Sequence, residues 1–232
     1  LGPSMDEAAA LAGCQKSTRQ RIRAAERSAV AVRRWDARIG ADGPGEGFVP
    51  GGSDPRPALD RFFDLELATA ARRGFSLGPR TAFLDWWTRA WGEGRLVYLE
   101  VVAAEDAARP PEEPAQPLAG LVLYRHGQRF STIQSGDRAD ARRSHPGILH
   151  LVRWRAIQLA IREACVEMDL GGADVAGARE RPEPGSEMYG LYEHKRGFGA
   201  EWVQLAGAQE RVIRAWRYAA GRVASRLRRG AA

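Results

Sequence analysis

The sequence predicts an α/β domain built on a single mixed sheet flanked by helices. Three observations carry this expectation. Short apolar runs of strand character, such as Leu96–Val102, recur along the chain. Longer segments with helical spacing of apolar residues, such as Leu149, Val152, Ile157 and Ile161, lie between them. Gly and Pro residues punctuate the boundaries, and the two kinds of segment interleave instead of forming separate blocks.

In order, residues 15 to 28 read as a basic helix with Ser17 or Thr18 as N-cap. Ala29 to Trp35 alternates as a strand does, and a Gly/Pro-rich loop runs to about Pro55. Leu59, Phe62, Phe63, Leu65 and Leu67 mark a helix ending near Gly74. A second, from about Thr81 to Trp91, carries Phe83, Trp86 and Trp87 and is stopped by Gly92 and Gly94. Strands follow at Arg95–Ala103, Leu118–Tyr124 and Arg129–Gln134, the last two joined by a turn at His126-Gly127. Pro146 opens a long helix to about Ala164. Val166–Leu170 is a strand, Met188–Lys195 a short helix, Trp202–Leu205 a strand, and 209 to 229 a basic helix. The resulting string, β-α-α-β-β-β-α-β-α-β with one helix before and one after, is the element order of the GNAT (acyl-CoA N-acyltransferase-like) fold. Order says nothing about the acyl donor.

At 44% hydrophobic and 28% charged, the 232-residue chain has the composition of a globular enzyme. No apolar run approaches the roughly 20 residues of a membrane span. Leu1–Ser4 read as the remnant of a cleaved tag, leaving 5–232 as one domain with its core at about 29–207. Cys14 and Cys165 have neither a metal spacing nor a disulfide pattern, which points to the cytoplasm. The net charge of +6 is segregated: residues 15–34 and 209–232 each sum to +6, around an acidic body. Such arms suit a polyanion, whether RNA, a nucleotide diphosphate or an anionic membrane surface; a GC-rich genome would produce the same arginine bias.

Between the third strand and the long helix, a coenzyme-A site would require a Q/R-x-x-G-x-G/A loop. The residues present, from Gln134 to Gly147, do not match it. Three other stretches carry a resemblance. Thr18–Val30 (TRQRIRAAERSAV) is similar to the TR-x-x-IRKAEK-x-G-V helix of Fem-type peptidyltransferases. Thr69–Phe75 (TAARRGF) resembles that family's T-x-x-R-h-G-F. Met168–Gly172 (MDLGG) followed by Gly190–Gly199 (GLYEHKRGFG) resembles YDLGG…GLY-x-FK-x-x-FG, with His194 where the family has Phe.

The resemblance implies an enzyme that moves an amino acid from aminoacyl-tRNA to an amine of a peptidoglycan precursor, without a cofactor or metal. It covers about residues 15 to 207 and corresponds to the second of the family's two repeats. A first repeat or a second subunit is therefore a possible partner, and the acceptor is open. The implied catalytic residues are Lys195, against the tetrahedral oxyanion near the tRNA 3′ end, and Asp169, toward the amine. Arg72 and Arg73 would meet acceptor phosphates, Tyr189 and Tyr192 would line the acceptor groove, and Arg19 and Arg23 would join Lys195 on the tRNA. Each has a plainer reading: a solvated lysine, a strand-end cap, helix-terminal arginines, packed tyrosines. Cys165 reads as core and the histidines as structural. Two alternatives stay open, a GNAT enzyme using acyl-CoA through an atypical loop and a non-catalytic module whose basic arms bind RNA or a partner.

Overall fold

The computed structural model describes residues 5–39, 48–49, 53–110, 112–113, 115–173, 180–205 and 211–229. Leu1–Ser4, most of the Gly/Pro-rich loop and residues 206–210 lie outside that set. The chain divides into two units, 1–201 and 202–232.

The first unit contains α1 (Glu7–Gly13), α2 (Lys16–Glu26), β1 (Val30–Asp36), β2 (Phe48–Val49), α3 (Arg56–Arg73) and α4 (Arg80–Gly92). It continues with β3 (Leu96–Ala103), β4 (Ala119–His126), β5 (Arg129–Asp137), α5 (Ala141–Ser144), α6 (Ile148–Arg162), β6 (Glu167–Asp169) and α7 (Tyr189–Arg196). Among the described residues the sheet runs β2-β1-β3-β4-β5-β6, with antiparallel pairing from β1 to β5 and parallel pairs at both edges. This is the GNAT fold that the element order predicts.

β3 lies inside the sheet, and its near-continuous apolar run is buried on both faces. On one face Phe62 of α3 and Trp87 of α4 pack on each other and on Tyr98 of β3. On the other, Val152, Ala156 and Leu159 of α6 cover Val97, Leu99 and Leu121. α3 approaches the sheet closely because Gly120 and Gly136 face each other across β4 and β5. A Cβ on Gly120 would lie 2.6 Å from the Phe62 ring, and one on Gly136 2.9 Å from Glu66 Oε1. A second helical layer, α1 and α2, packs on α6 through Ile22, Trp154 and Ile157.

Arg125 on β4 ties Asp36, at the end of β1, to Glu163, just past α6, with Nη2–Oε1 at 2.7 Å to Glu163. Burial works to raise the Asp36 pKa, but the Arg125 and Arg34 hydrogen bonds outweigh it and hold the carboxyl below its usual range.

Several local expectations are corrected. Gln15, not Ser17 or Thr18, is the N-cap of α2, and Thr18 is buried against α7. The long helix starts at Ile148 behind Gly147, so Pro146 precedes the cap. Cys165 is buried as expected but lies beyond the end of that helix. Trp202–Leu205 forms no strand. α1, which the helical spacing did not reveal, is capped by Asp6. In the second unit the basic helix, α8 (Ala215–Arg229), begins six residues later than the sequence suggests.

Candidate active site

The parallel pairing of β5 with β6 is short: Arg129–Ser131 lie against Glu167–Asp169, after which β5 continues to Asp137 with β4 as its only strand neighbour among the described residues. The two strands therefore part, and the chain leaving β6 turns sharply. Asp169 Oδ1 accepts from the Gly171 N–H at 2.7 Å, an Asx-type turn. Gly171 adopts φ +80°, where a side chain would be strained and would also stand 3.0 Å from the Thr132 carbonyl oxygen. This turn presents the carbonyls of Gly171 and Gly172 to α7.

Lys195 answers them. Its Nζ donates to Gly171 O at 2.7 Å and Gly172 O at 2.6 Å. The residue is 9% exposed, so it is not the solvated helix lysine of the plainer reading. Burying an ammonium is costly unless acceptors replace its water, and the two carbonyls do this. The sequence contains only one other lysine, Lys16.

The helix face beside Lys195 is equally constrained. His194 meets His150 of α6 edge-on at 4.4 Å between centroids, and both rings contact Phe198. Burial, then the charge of Arg153, pushes His194 down to about 2. Burial, then the charge of Arg21, pushes His150 down to about 4. Arg153 is itself fully buried and lowered to about 10 by that burial. The joint between α6 and α7 thus sets two neutral imidazoles beside Arg153, Lys195 and, from α2, Arg21. Nearby on β5, past the point where β6 departs, Thr132 Oγ1 and Gln134 Oε1 are buried without a hydrogen-bond partner among the described residues. The sequence signal for both is the polar content of Ser131-Thr132-Ile133-Gln134-Ser135, which is unusual for a strand inside the sheet.

Of the residues singled out from sequence, Asp169 and Lys195 meet on the Gly171 turn, and Tyr189 and Tyr192 stand on α7 with their rings 6.2 Å apart. Both tyrosines lie within α7. Arg72 is elsewhere: at the end of α3 it donates to the Asp137 carboxylate and carbonyl, each at 3.0 Å, where Arg142 also binds. Arg73 is exposed beside it. Arg19 turns back to the α1 carbonyls of Ala12, at 3.1 Å, and Cys14, whereas Arg23 is exposed. Among the described residues no group of His, Cys, Asp and Glu side chains could hold a metal ion, and no helix is long and apolar enough to cross a membrane.

No curated protein matches the chain by sequence. Among solved structures, the fold is similar to FemX, with a TM-score of 0.61 and 14% identity over 85% of this chain. The chain spans 57% of the FemX chain, little more than half its length. A possible acetyltransferase from Clostridium difficile 630 superposes with a TM-score of 0.49 and 11% identity, over 81% of this chain and 100% of that one. An aminoglycoside acetyltransferase from an uncultured soil metagenomic sample gives 0.47 and 9%, over 80% and 97%. The sheet order, the parting of β5 from β6 and the match of residues 16–196 to the acetyltransferase (GNAT) domain agree, and the chain belongs to that family.

Proposed function

We propose that the domain transfers an aminoacyl group from aminoacyl-tRNA to an amine of a peptidoglycan precursor or a related peptide acceptor. The observation that carries this reading is the buried Lys195 ammonium, held by the Gly171 and Gly172 carbonyls where β6 leaves β5. The acceptor amine attacks the ester carbonyl, the C–N bond forms, and the carbonyl oxygen becomes an oxyanion. A fixed positive charge stabilises that oxyanion without reorganising during the reaction. Collapse breaks the C–O bond to the tRNA ribose; that oxygen takes up a proton and the amine gives one up. Asp169, exposed and oriented by its bond to the Gly171 N–H, is the group assigned to accept the amine proton.

Tyr189 and Tyr192 would line the acceptor groove, and Arg19, Arg23 and Lys195 the path of the tRNA end. Arg72 and Arg73 would meet acceptor phosphates. Arg72 must first yield Asp137, which Arg142 can hold alone, so Arg73 is the readier phosphate contact. A separate first repeat or a second subunit would complete the acceptor site.

The acyl-CoA alternative is disfavoured by the first turn of α6, where the family pyrophosphate would sit. Gly147, the N-cap, has φ +92° and stands so close to the α2 backbone that a Cβ there would be 2.3 Å from Arg21 O. The α2 backbone therefore lies directly against the start of α6, which crowds an approach to that turn.

The test is a transfer assay with charged tRNA and muramyl pentapeptide, read by mass, alongside a thermal-shift measurement with coenzyme A. Lys195→Met should lower turnover on the order of 100-fold, with Lys195→Arg recovering only part. Circular dichroism must establish that the variants fold, because a buried lysine also supports the Gly171 turn. A folded Met variant that transfers at the parental rate removes Lys195 from the mechanism. Stabilisation by coenzyme A with no transfer from tRNA would replace the donor.

A further inference from the structure

We propose that α8 is a peripheral membrane-binding helix that lies in the interface of an anionic bilayer. This inference does not rest on the transfer reaction. From 211 to the end, the sequence holds seven arginines and no acidic residue. On α8, Trp216, Ala220 and Val223 fall at i, i+4 and i+7 and form one apolar stripe, and the same sequence spacing continues at 227. Arg217 and Arg222 stand away from the stripe, with the Arg222 guanidinium donating to the Tyr218 hydroxyl on the polar side.

The stripe is turned to solvent. Trp216 is 68% exposed, Val223 56%, and Ile213 just before the helix 89%. At 15 residues α8 is about 22 Å long, too short for a hydrocarbon core of about 30 Å, and its charges exclude insertion across it. An in-plane position satisfies both faces: the apolar stripe enters the acyl boundary while the guanidinium groups remain among anionic headgroups. The Arg217 guanidinium lies 5.0 Å from the Trp216 ring centroid, an indole-and-cation pairing suited to the headgroup level. RNA would satisfy the arginines alone and leave the stripe in water, so charge complementarity and exposed apolar area together favour the lipid surface.

The experiment is flotation of the full chain with vesicles of phosphatidylcholine containing about 30 mol% phosphatidylglycerol, against phosphatidylcholine alone. The chain should float only with the anionic vesicles. The W216S/V223S double variant should bind at least about tenfold less, at an unchanged melting temperature, because both side chains are exposed. The R217S/R222S variant should also bind less. Failure to float with anionic vesicles overturns the proposal, as does equal binding to neutral ones. So does full vesicle binding by W216S/V223S; if that variant also keeps tRNA binding in a gel shift that R217S/R222S has lost, the helix is an RNA contact instead.

Discussion

Two of the regions in which the domain buries ionisable groups shift them with opposite sign. Beneath α3, Glu66 and Glu100 lie against the sheet, and burial raises each to about 7. For Glu100 the Trp35 hydrogen bond, at 2.6 Å, and the Arg33 charge oppose that rise without cancelling it. One carboxylate oxygen of each, Glu66 Oε1 and Glu100 Oε2, has no hydrogen-bond partner among the described residues. At the α6–α7 joint, His150 and His194 are instead kept neutral by burial beside the cations Arg153, Arg21 and Lys195. The acid pocket faces the α3–α4 core, whereas the histidine joint sits beside Lys195 and the Gly171 turn.

The signs follow from proton linkage. The carboxyls bind a proton more tightly folded than unfolded, so their contribution is full below the unfolded value of 4.5 and is lost as pH rises toward about 7. The histidines bind a proton less tightly folded, so their contribution is full above 6.5 and is lost as pH falls toward about 4 and about 2. Between pH 4.5 and 6.5 the two regions oppose each other. A flat stability profile there would conceal two steep ones, and variants can separate them.

The largest expected effect breaks the comparison on function instead of stability. Lys195→Met should cost on the order of 100-fold in transfer rate, while Glu66→Gln should leave transfer within about twofold. Equal losses from both would mean that the α3 pocket belongs to the chemistry. On stability, Glu66→Gln keeps the shape and removes the charge. It should stabilise by about 1–3 kcal/mol at pH 8 and lose that advantage near pH 4.5, read from urea midpoints. An advantage equal at both pH values would mean that Glu66 does not titrate in this window.

His194→Phe tests the other side. It introduces the residue that Fem-type sequences carry before the lysine. Near pH 7.5 the variant should differ from the parent by less than about 1 kcal/mol. At pH 5 it should be about 2 kcal/mol more stable, because the parent alone must refuse a proton that its unfolded chain accepts. Parallel melting curves for the two proteins from pH 5 to 7.5 would assign the joint's acid sensitivity to His150.

These contrasts also mark what the sequence could reveal. Strands β1 and β3 to β6 and the long helices were legible because their apolar spacing is local, and the two segments that carry Asp169 and Lys195 stood out as MDLGG and GLYEHK. Helix α1 escaped because Glu7–Gly13 is Ala-rich with little apolar periodicity, its neighbour Cys14 being the buried anchor. The tether of Arg72 to Asp137 spans 65 residues, and the His150–His194 contact joins two helices that no motif links. Glu100 was the missed hint: a carboxylate in the middle of Leu-Val-Tyr-Leu-Glu-Val-Val must be buried in any sheet that uses the run as an interior strand.

The smallest effect sharpens the comparison on the surface. α2 lies on the histidine side and α4 on the acid side, and each exposes an arginine, Arg23 and Arg89. If tRNA approaches along α2, Arg23 is the better contact than Arg19, whose guanidinium is occupied by the α1 carbonyls. A phosphate contact releases counterions, so removing one should reduce the slope of log affinity against log salt by about one. Arg23→Ala should therefore weaken tRNA binding modestly at low salt and lower the slope by about that amount. Arg89→Ala, an equal change in net charge on the opposite side of the sheet, should leave the slope unchanged. Equal reductions from both would mean that the arginines act through overall charge, and α2 would then have no special claim on the tRNA.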